Sequence, residues 1–167
     1  KLGLQNWQQR KANVKKRIRD IACALIKTAA ERELKKGDVL KPKQFEYEKF
    51  SSEFEFTETS DQIKSIRQIE NDLSNGKPMD RLICGDVGFG KTEIAMRAAF
   101  ISVSCGYQVA IICPKLLLVN QHTETFKKRF KNFSYKIEKI TRLESLNKKK
   151  VIKENLKNGS VDILIGT

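Results

Sequence analysis

The segment Gly85-Asp86-Val87-Gly88-Phe89-Gly90-Lys91-Thr92 constrains this chain more than any other feature. It matches G-x-x-x-x-G-K-[ST] at every fixed position. A short apolar run, Leu82-Ile83-Cys84, precedes it, and a helical pattern follows. Glycines let a backbone curl until successive N–H groups converge on a phosphate. The helix that follows adds its positive N-terminal end. The lysine then neutralises β- and γ-phosphates, and the next hydroxyl ligates Mg²⁺. The segment therefore reads as a cradle for ATP or a close relative. Lys91 and Thr92 carry the chemistry, and Thr92 is the Mg²⁺ ligand. With Gly near 7% of residues, chance gives such a match in roughly one chain of this length in two hundred.

Around the loop the pattern alternates. Strands are expected at Arg81–Cys84, Val109–Cys113, Lys136–Ile140 and Val161–Ile165, and helices at Lys91–Cys105, Leu116–Phe130 and Ser145–Asn158. Alternation of this kind predicts an α/β domain with a parallel sheet flanked by helices. Upstream, a helix is expected from Ser60 to Leu73, with Thr59, Ser60 and Asp61 as candidate caps, followed by a turn at Asn75-Gly76-Lys77-Pro78. Residues 38–60 read as a connector with aromatic anchors at Phe45, Tyr47, Phe50, Phe54 and Phe56. A long helix is expected from Trp7 to Lys35, because Val14, Ile18, Ile21, Leu25 and Ala29 recur at helical spacing, with Gly37 as its stop. The organisation expected is a basic linker helix and connector over 1–50, then the main domain over 51–167.

The chain has 33 Lys and Arg against 20 Asp and Glu, a formal net charge of +13. The excess favours a polyanionic partner. No stretch approaches a membrane span, and a signal peptide is not expected. Cys23, Cys84, Cys105 and Cys113 form no C-x-x-C pair, and His122 lies far from them, so a zinc site is not expected. Cys84 and Cys113 read as small core residues. This cysteine usage fits a reducing cytoplasm.

The extended motif from Gly85 through Lys91-Thr92-Glu93-Ile94-Ala95-Met96-Arg97 to Phe100 resembles superfamily 2 DNA translocases. The likeness is nearest to the bacterial transcription-repair coupling factors, with RecG-like helicases as near relatives. It implies a RecA-like P-loop sheet, incomplete over these residues. Phe54-Glu55-Phe56-Thr57-Glu58-Thr59-Ser60-Asp61-Gln62 resembles the family's Q-motif region, which implies that Gln62 reads the adenine edge and Phe56 packs on the base; an amide has the donor and acceptor this needs. Cys113-Pro114-Lys115-Leu116 through His122 resembles motif Ia, which implies DNA-backbone contact at Pro114 and Lys115. The family usually has Thr where this chain has Lys115. Thr141-Arg142-Leu143 falls where motif Ib is expected, and Asp162 through Gly166-Thr167 resembles the next DNA-contacting motif. Lys1 through Trp7 and the basic helix behind them resemble the stretch that in coupling factors leads into the motor. The likeness implies double-stranded DNA as partner, with RNA polymerase and nucleotide excision repair proteins engaged by the full-length protein.

Hydrolysis in this family needs an acidic pair at the end of an apolar strand. No such pair occurs between Lys1 and Thr167. These residues alone are therefore expected to bind nucleotide weakly and not to turn it over, which steady-state hydrolysis by them would contradict. Self-association or modest stability is expected as well, since the sheet lacks later strands. A RecG-like fork-remodelling helicase is the alternative that shares this motor, and a regulatory GTPase or small-molecule kinase is the competing class, but Asn147-Lys148-Lys149-Lys150 lacks the aspartate that reads guanine. A non-enzymatic bridge between a polymerase-binding domain and a motor is the other alternative.

Overall fold

Strand β3 (Ile163–Gly166) is the centre of the fold. It pairs in parallel with β1 (Val109–Ile112) on one side and β2 (Ile137–Ile140) on the other, giving the order β1-β3-β2. This computed structural model describes residues 2–167, with side chains from Asn6 onward. The expected coupling-factor-like start at Lys1 lies outside the described residues. Ile163 and Ile165 are fully buried, as a central parallel strand covered on its faces requires. In the ladder, Ile112 and Ile140 both stand opposite Gly166, so the three strands end abreast. Gly166 is needed there, because a Cβ would lie 2.8 Å from the Ile140 carbonyl oxygen.

The helices are α1 (Leu2–Leu34), α2 (Gln44–Ser52), α3 (Ser60–Ser74), α4 (Lys91–Ser104), α5 (Leu116–Arg129) and α6 (Leu146–Lys157). α5 lies on β2 and β3, α4 on β1, and both α2 and α3 pack on α4. The main core joins Phe50, Met96, Phe100, Val119, Phe126 and Phe130 to Ile137, Ile163 and Ile165. Phe50 stacks on Phe100 with ring centroids 4.2 Å apart. A smaller cluster joins Ile66 and Ile69 of α3 to Ile94 of α4. Thr59 caps α3 in a reciprocal capping box with Gln62.

Most expected elements form within a residue or two of their predicted ends. Four expectations change. First, Arg81–Cys84 is not a strand, since no described strand lies beside it to complete a ladder. Its Leu82 is exposed, Ile83 packs against the α3–α4 cluster, and Arg81 is held by Asp72 and Gln68. Second, Cys84 is exposed for the same reason, while Cys113 is buried as expected. Third, the connector contains α2, which crosses the expected boundary at residue 50 and inserts Phe50 into the core, whereas Phe45 and Phe56 are exposed. Fourth, the apolar stripe of α1 packs on nothing among the described residues: Val14, Ile18, Ile21 and Leu25 are all exposed. Among the described residues, the ion pairs that join the helix to the body lie at its end, Arg32 with Asp80 and Glu33 with Lys77. Gly37 lets the chain pass the turn closely, with its amide on the Gly76 carbonyl and a Cβ excluded by Lys77 and Pro78.

This division predicts unequal costs of truncation. Phe100→Ala removes a fully buried ring and is expected to cost about 3–5 kcal/mol. Leu25→Ala, on the exposed stripe, is expected to change stability by less than about 0.5 kcal/mol. Urea unfolding of both variants measures the contrast, and equal losses would contradict this packing.

Candidate nucleotide-binding site

The loop Gly85–Thr92 leaves an irregular segment and enters α4 at Lys91. Gly88 and Gly90 have φ of +86° and +73°, a region that side chains with a Cβ avoid. Gly90 is the N-cap of α4 and also stands against Gln62, whose Nε2 would lie 2.5 Å from an added Cβ. Both the turn and the close approach therefore demand glycine. The tip is open to solvent, with Val87 and Phe89 exposed. The Lys91 ammonium donates to the carbonyl oxygens of Gly85 and Asp86, each at 2.5 Å. The loop thus keeps its cation at its own mouth. Thr92 follows in the first turn of α4, half-buried.

Gln62 reaches the loop from α3. Its Nε2 donates to the Phe89 carbonyl at 2.9 Å, and its Oε1 accepts from the Thr59 amide at 2.8 Å. One N–H and one oxygen lone pair of the amide remain for another partner. A cavity of about 590 Å³ lies between the loop and the strip 54–62, lined by Phe54, Phe56, Gln62, Gly88, Gly90 and Thr92. That size lies within the range of small-ligand and cofactor sites, ~300–1,000 Å³. Of the sequence-predicted residues, Val87 to Gly90, Thr92, Gln62 and Phe56 line this space, whereas Gly85, Asp86 and Lys91 lie outside its lining.

The other predicted residues gather elsewhere. Pro114 and Lys115 follow β1, Arg142 follows β2, and Gly166-Thr167 end β3. Parallel strands that finish abreast place these residues along one edge of the sheet, where ligands of α/β sheets bind. Lys115, Arg142 and Thr167 are exposed, and Gly166 is buried between its neighbours. Lys115 is the N-cap of α5 and makes no side-chain cap bond. A threonine hydroxyl can cap at such a position; the lysine amine has no such acceptor role. Asp162, at the opposite end of β3, accepts from the Lys136 amide at 2.6 Å and has a structural role there.

Sequence reasoning missed a buried ionic network behind the loop. Glu93, one residue past Thr92, accepts from Arg97 Nε at 2.6 Å and from Arg129 Nη2 at 2.9 Å. Arg97 continues to Glu58 at 2.7 Å and to the Ser51 hydroxyl. Arg129 donates to the Phe50 carbonyl at 2.6 Å and lies over the Phe50 ring. Burial acts against the Arg97 charge, but hydrogen bonding and attraction from Glu93 outweigh it and its pKa is raised. The spacing Glu93-x-x-x-Arg97 was the available signal, since it puts opposite charges on one helix face. Nothing in that spacing shows burial.

A P-loop sequence at the N-terminus of a helix, beside a parallel sheet and a capping glutamine, is the arrangement of a RecA-like helicase lobe. A profile of the DEAD/DEAH box helicase family matches residues 59–167, and the chain belongs to that family. Over its whole length the chain is similar to transcription-repair-coupling factors, at 47% identity to that of Haemophilus influenzae, 49% to that of Borreliella burgdorferi and 44% to that of Bacillus subtilis. It spans 14–15% of the length of these relatives. Among solved structures, RecG bound to a three-way DNA junction superposes with a TM-score of 0.79 at 33% identity, over 84% of this chain and 19% of that one. A hypothetical ATP-dependent RNA helicase from Sulfolobus tokodaii, 17% identical with a TM-score of 0.53 over 75% of this chain and 34% of that one, shares the fold.

Gly90 gives the sharpest test of this geometry. Gly90→Ala forces a positive φ on alanine, a cost of about 1–2 kcal/mol, and drives its methyl into Gln62. The expected result is a folded but less stable chain that has lost phosphate binding, read by thermal melting and nucleotide titration. Binding equal to the unsubstituted chain would contradict the close packing of Gln62 on the loop.

Proposed function

We propose that these residues are the ATP-binding part of a longer superfamily 2 DNA translocase, one that displaces stalled RNA polymerase and couples transcription to nucleotide excision repair. The observation that carries the nucleotide reading is the meeting of the Gly85–Thr92 loop with Gln62 and Phe56 around one cavity. The likeness to coupling factors, which extends through α1 as well as the motor lobe, supports the particular motor.

The residues present fit Mg²⁺-ATP. The glycine turns leave room for a phosphate chain, and Lys91 supplies the charge to neutralise it once released from the Gly85 and Asp86 carbonyls. Thr92 offers a hydroxyl for Mg²⁺. Gln62 retains a donor and an acceptor for an adenine edge, and the exposed ring of Phe56 offers a stacking face. Bound ATP supplies the phosphoanhydride whose hydrolysis drives such motors. Pro114, Lys115, Arg142, Gly166 and Thr167 form the proposed DNA-contacting edge, with Lys115 and Arg142 meeting phosphates. The net charge of +13 favours the same polyanion. The proposed setting is the bacterial cytoplasm; no helix among the described residues is long and apolar enough to cross a membrane.

A second reading, a RecG-like fork-remodelling helicase, is favoured by the RecG superposition. One assay separates the two. The full-length protein is given ATP and RNA polymerase stalled on duplex DNA, with Lys91→Ala as control. Release that needs Lys91 supports the coupling motor; DNA-stimulated hydrolysis without release supports the RecG-like reading. Replacing Lys115 and Arg142 together by Ala is expected to lower the slope of log affinity against log salt by about 2, one for each lost phosphate contact. An unchanged slope would remove both residues from the DNA edge.

A further inference from the structure

The buried network joins parts of the molecule that serve different halves of a nucleotide. Glu93 follows Thr92 directly, so it moves with the phosphate loop. Glu58 lies four residues before Gln62, in the strip that carries Phe54 and Phe56. Arg97 bonds to both carboxylates, at 2.6 Å to Glu93 and 2.7 Å to Glu58, and is itself 3% exposed. Arg97 also donates to the Ser51 hydroxyl and to the Ser51 carbonyl, so the end of α2 is fixed to the same guanidinium. Arg129 closes the network from α5 by binding the other side of Glu93. Phe54, Phe56, Glu93 and Met96 also line a second cavity of about 310 Å³, so open space adjoins this strip at both cavities. A strip bordered by open space is not placed by close packing alone. Gln62 ties its end to the Phe89 carbonyl of the loop, and the ionic link from Glu58 to α4 ties the part that carries Phe54 and Phe56.

We infer that Glu58, Glu93, Arg97 and Arg129 are positioning residues that hold the base-side strip 54–62 at a set distance from the phosphate loop. They thereby determine how strongly a nucleoside triphosphate is preferred over bare triphosphate. The inference rests on the nucleotide reading above and adds to it the residues that register one half of the site against the other. The buried pair Glu93–Arg97, held also by the part-buried Glu58 and Arg129, resists small shifts, because a lost bond leaves a charge without a partner in a dry environment. Arg97→Lys keeps the charge but loses the planar fork that reaches Glu93, Glu58 and Ser51 together.

The test measures dissociation constants of the full-length protein for Mg²⁺-ATP and for Mg²⁺-tripolyphosphate. Glu58→Gln and Arg97→Lys are compared with the unsubstituted protein. Glu58 is the more exposed end of the network, so its variant is expected to fold even where Arg97→Lys does not, and thermal melting checks each. The expected result is ATP binding weakened about tenfold by a misplaced base-side strip, with tripolyphosphate binding changed less than about twofold. Equal weakening of both ligands, or of neither, overturns the positioning role. An unsubstituted protein that binds ATP no better than tripolyphosphate overturns the inference while leaving the phosphate loop in place. One that binds neither ligand overturns the nucleotide reading as well.

Discussion

Glu93 is a carboxylate that the fold cannot leave alone. It is 4% exposed, and an ion so buried persists only with close partners and further hydrogen bonds. Two arginines supply them, one from its own helix and one from α5. The other bonds of those arginines tie in the end of α2, through the Ser51 hydroxyl and the Phe50 carbonyl, and the strip before α3, through Glu58, while Arg129 Nη1 stays buried without a protein partner. Thus one acidic side chain beside the phosphate loop dictates where three other segments lie. The apolar core is consistent with this arrangement rather than independent of it. Phe50 stacks on Phe100 of α4 and carries the Arg129 guanidinium on its ring.

The sheet imposes a second order on the site. Parallel strands joined through helices deliver every strand end to the same edge. The residues after β1, β2 and β3 are far apart in sequence, yet the ladder sets them side by side. Gly166 shows how tightly this is built, since no Cβ fits beside the Ile140 carbonyl. The basic side chains at this edge are exposed, whereas the central strand β3 between them is largely buried. Precision comes from the strands, and charge is presented by the turns that follow them.

How much of this could be read in advance depends on how local the cause is. The glycine turns of Gly85–Thr92 and the helix start behind them were legible because a loop of this kind fixes both residue types and spacing. The capped start of α3 was legible too, because Thr59 and Gln62 act on backbone within one turn. Strand identity at Arg81–Cys84 was not, since a strand is a pairing relation and a short apolar run says nothing of its neighbour. α2 escaped notice because its nine residues carry only one buried side chain, Phe50, too little for a periodic signal. The network around Glu93 was hidden for a different reason. Its members come from four segments, and charged residues are ordinarily read as solvated.

The long helix α1 marks the limit of periodicity as evidence. Apolar residues at spacings of three and four predict a helix with one buried face. The helix forms as expected, yet the stripe stays exposed, with Ile21 and Leu25 at 60% and 66%. Periodicity reports that a face was shaped to be covered; it does not say by what. A span of 33 residues, about 50 Å at 1.5 Å per residue, also exceeds what two ion pairs at one end can orient. Exposed ion pairs contribute little because water screens them, so Arg32–Asp80 and Glu33–Lys77 fix where the helix leaves the body rather than where its far end points. The close passage of Gly37 past the turn at Lys77-Pro78 is the stiffer joint. The helix is therefore anchored to the body at that turn, seven residues before the Gly85–Thr92 loop begins.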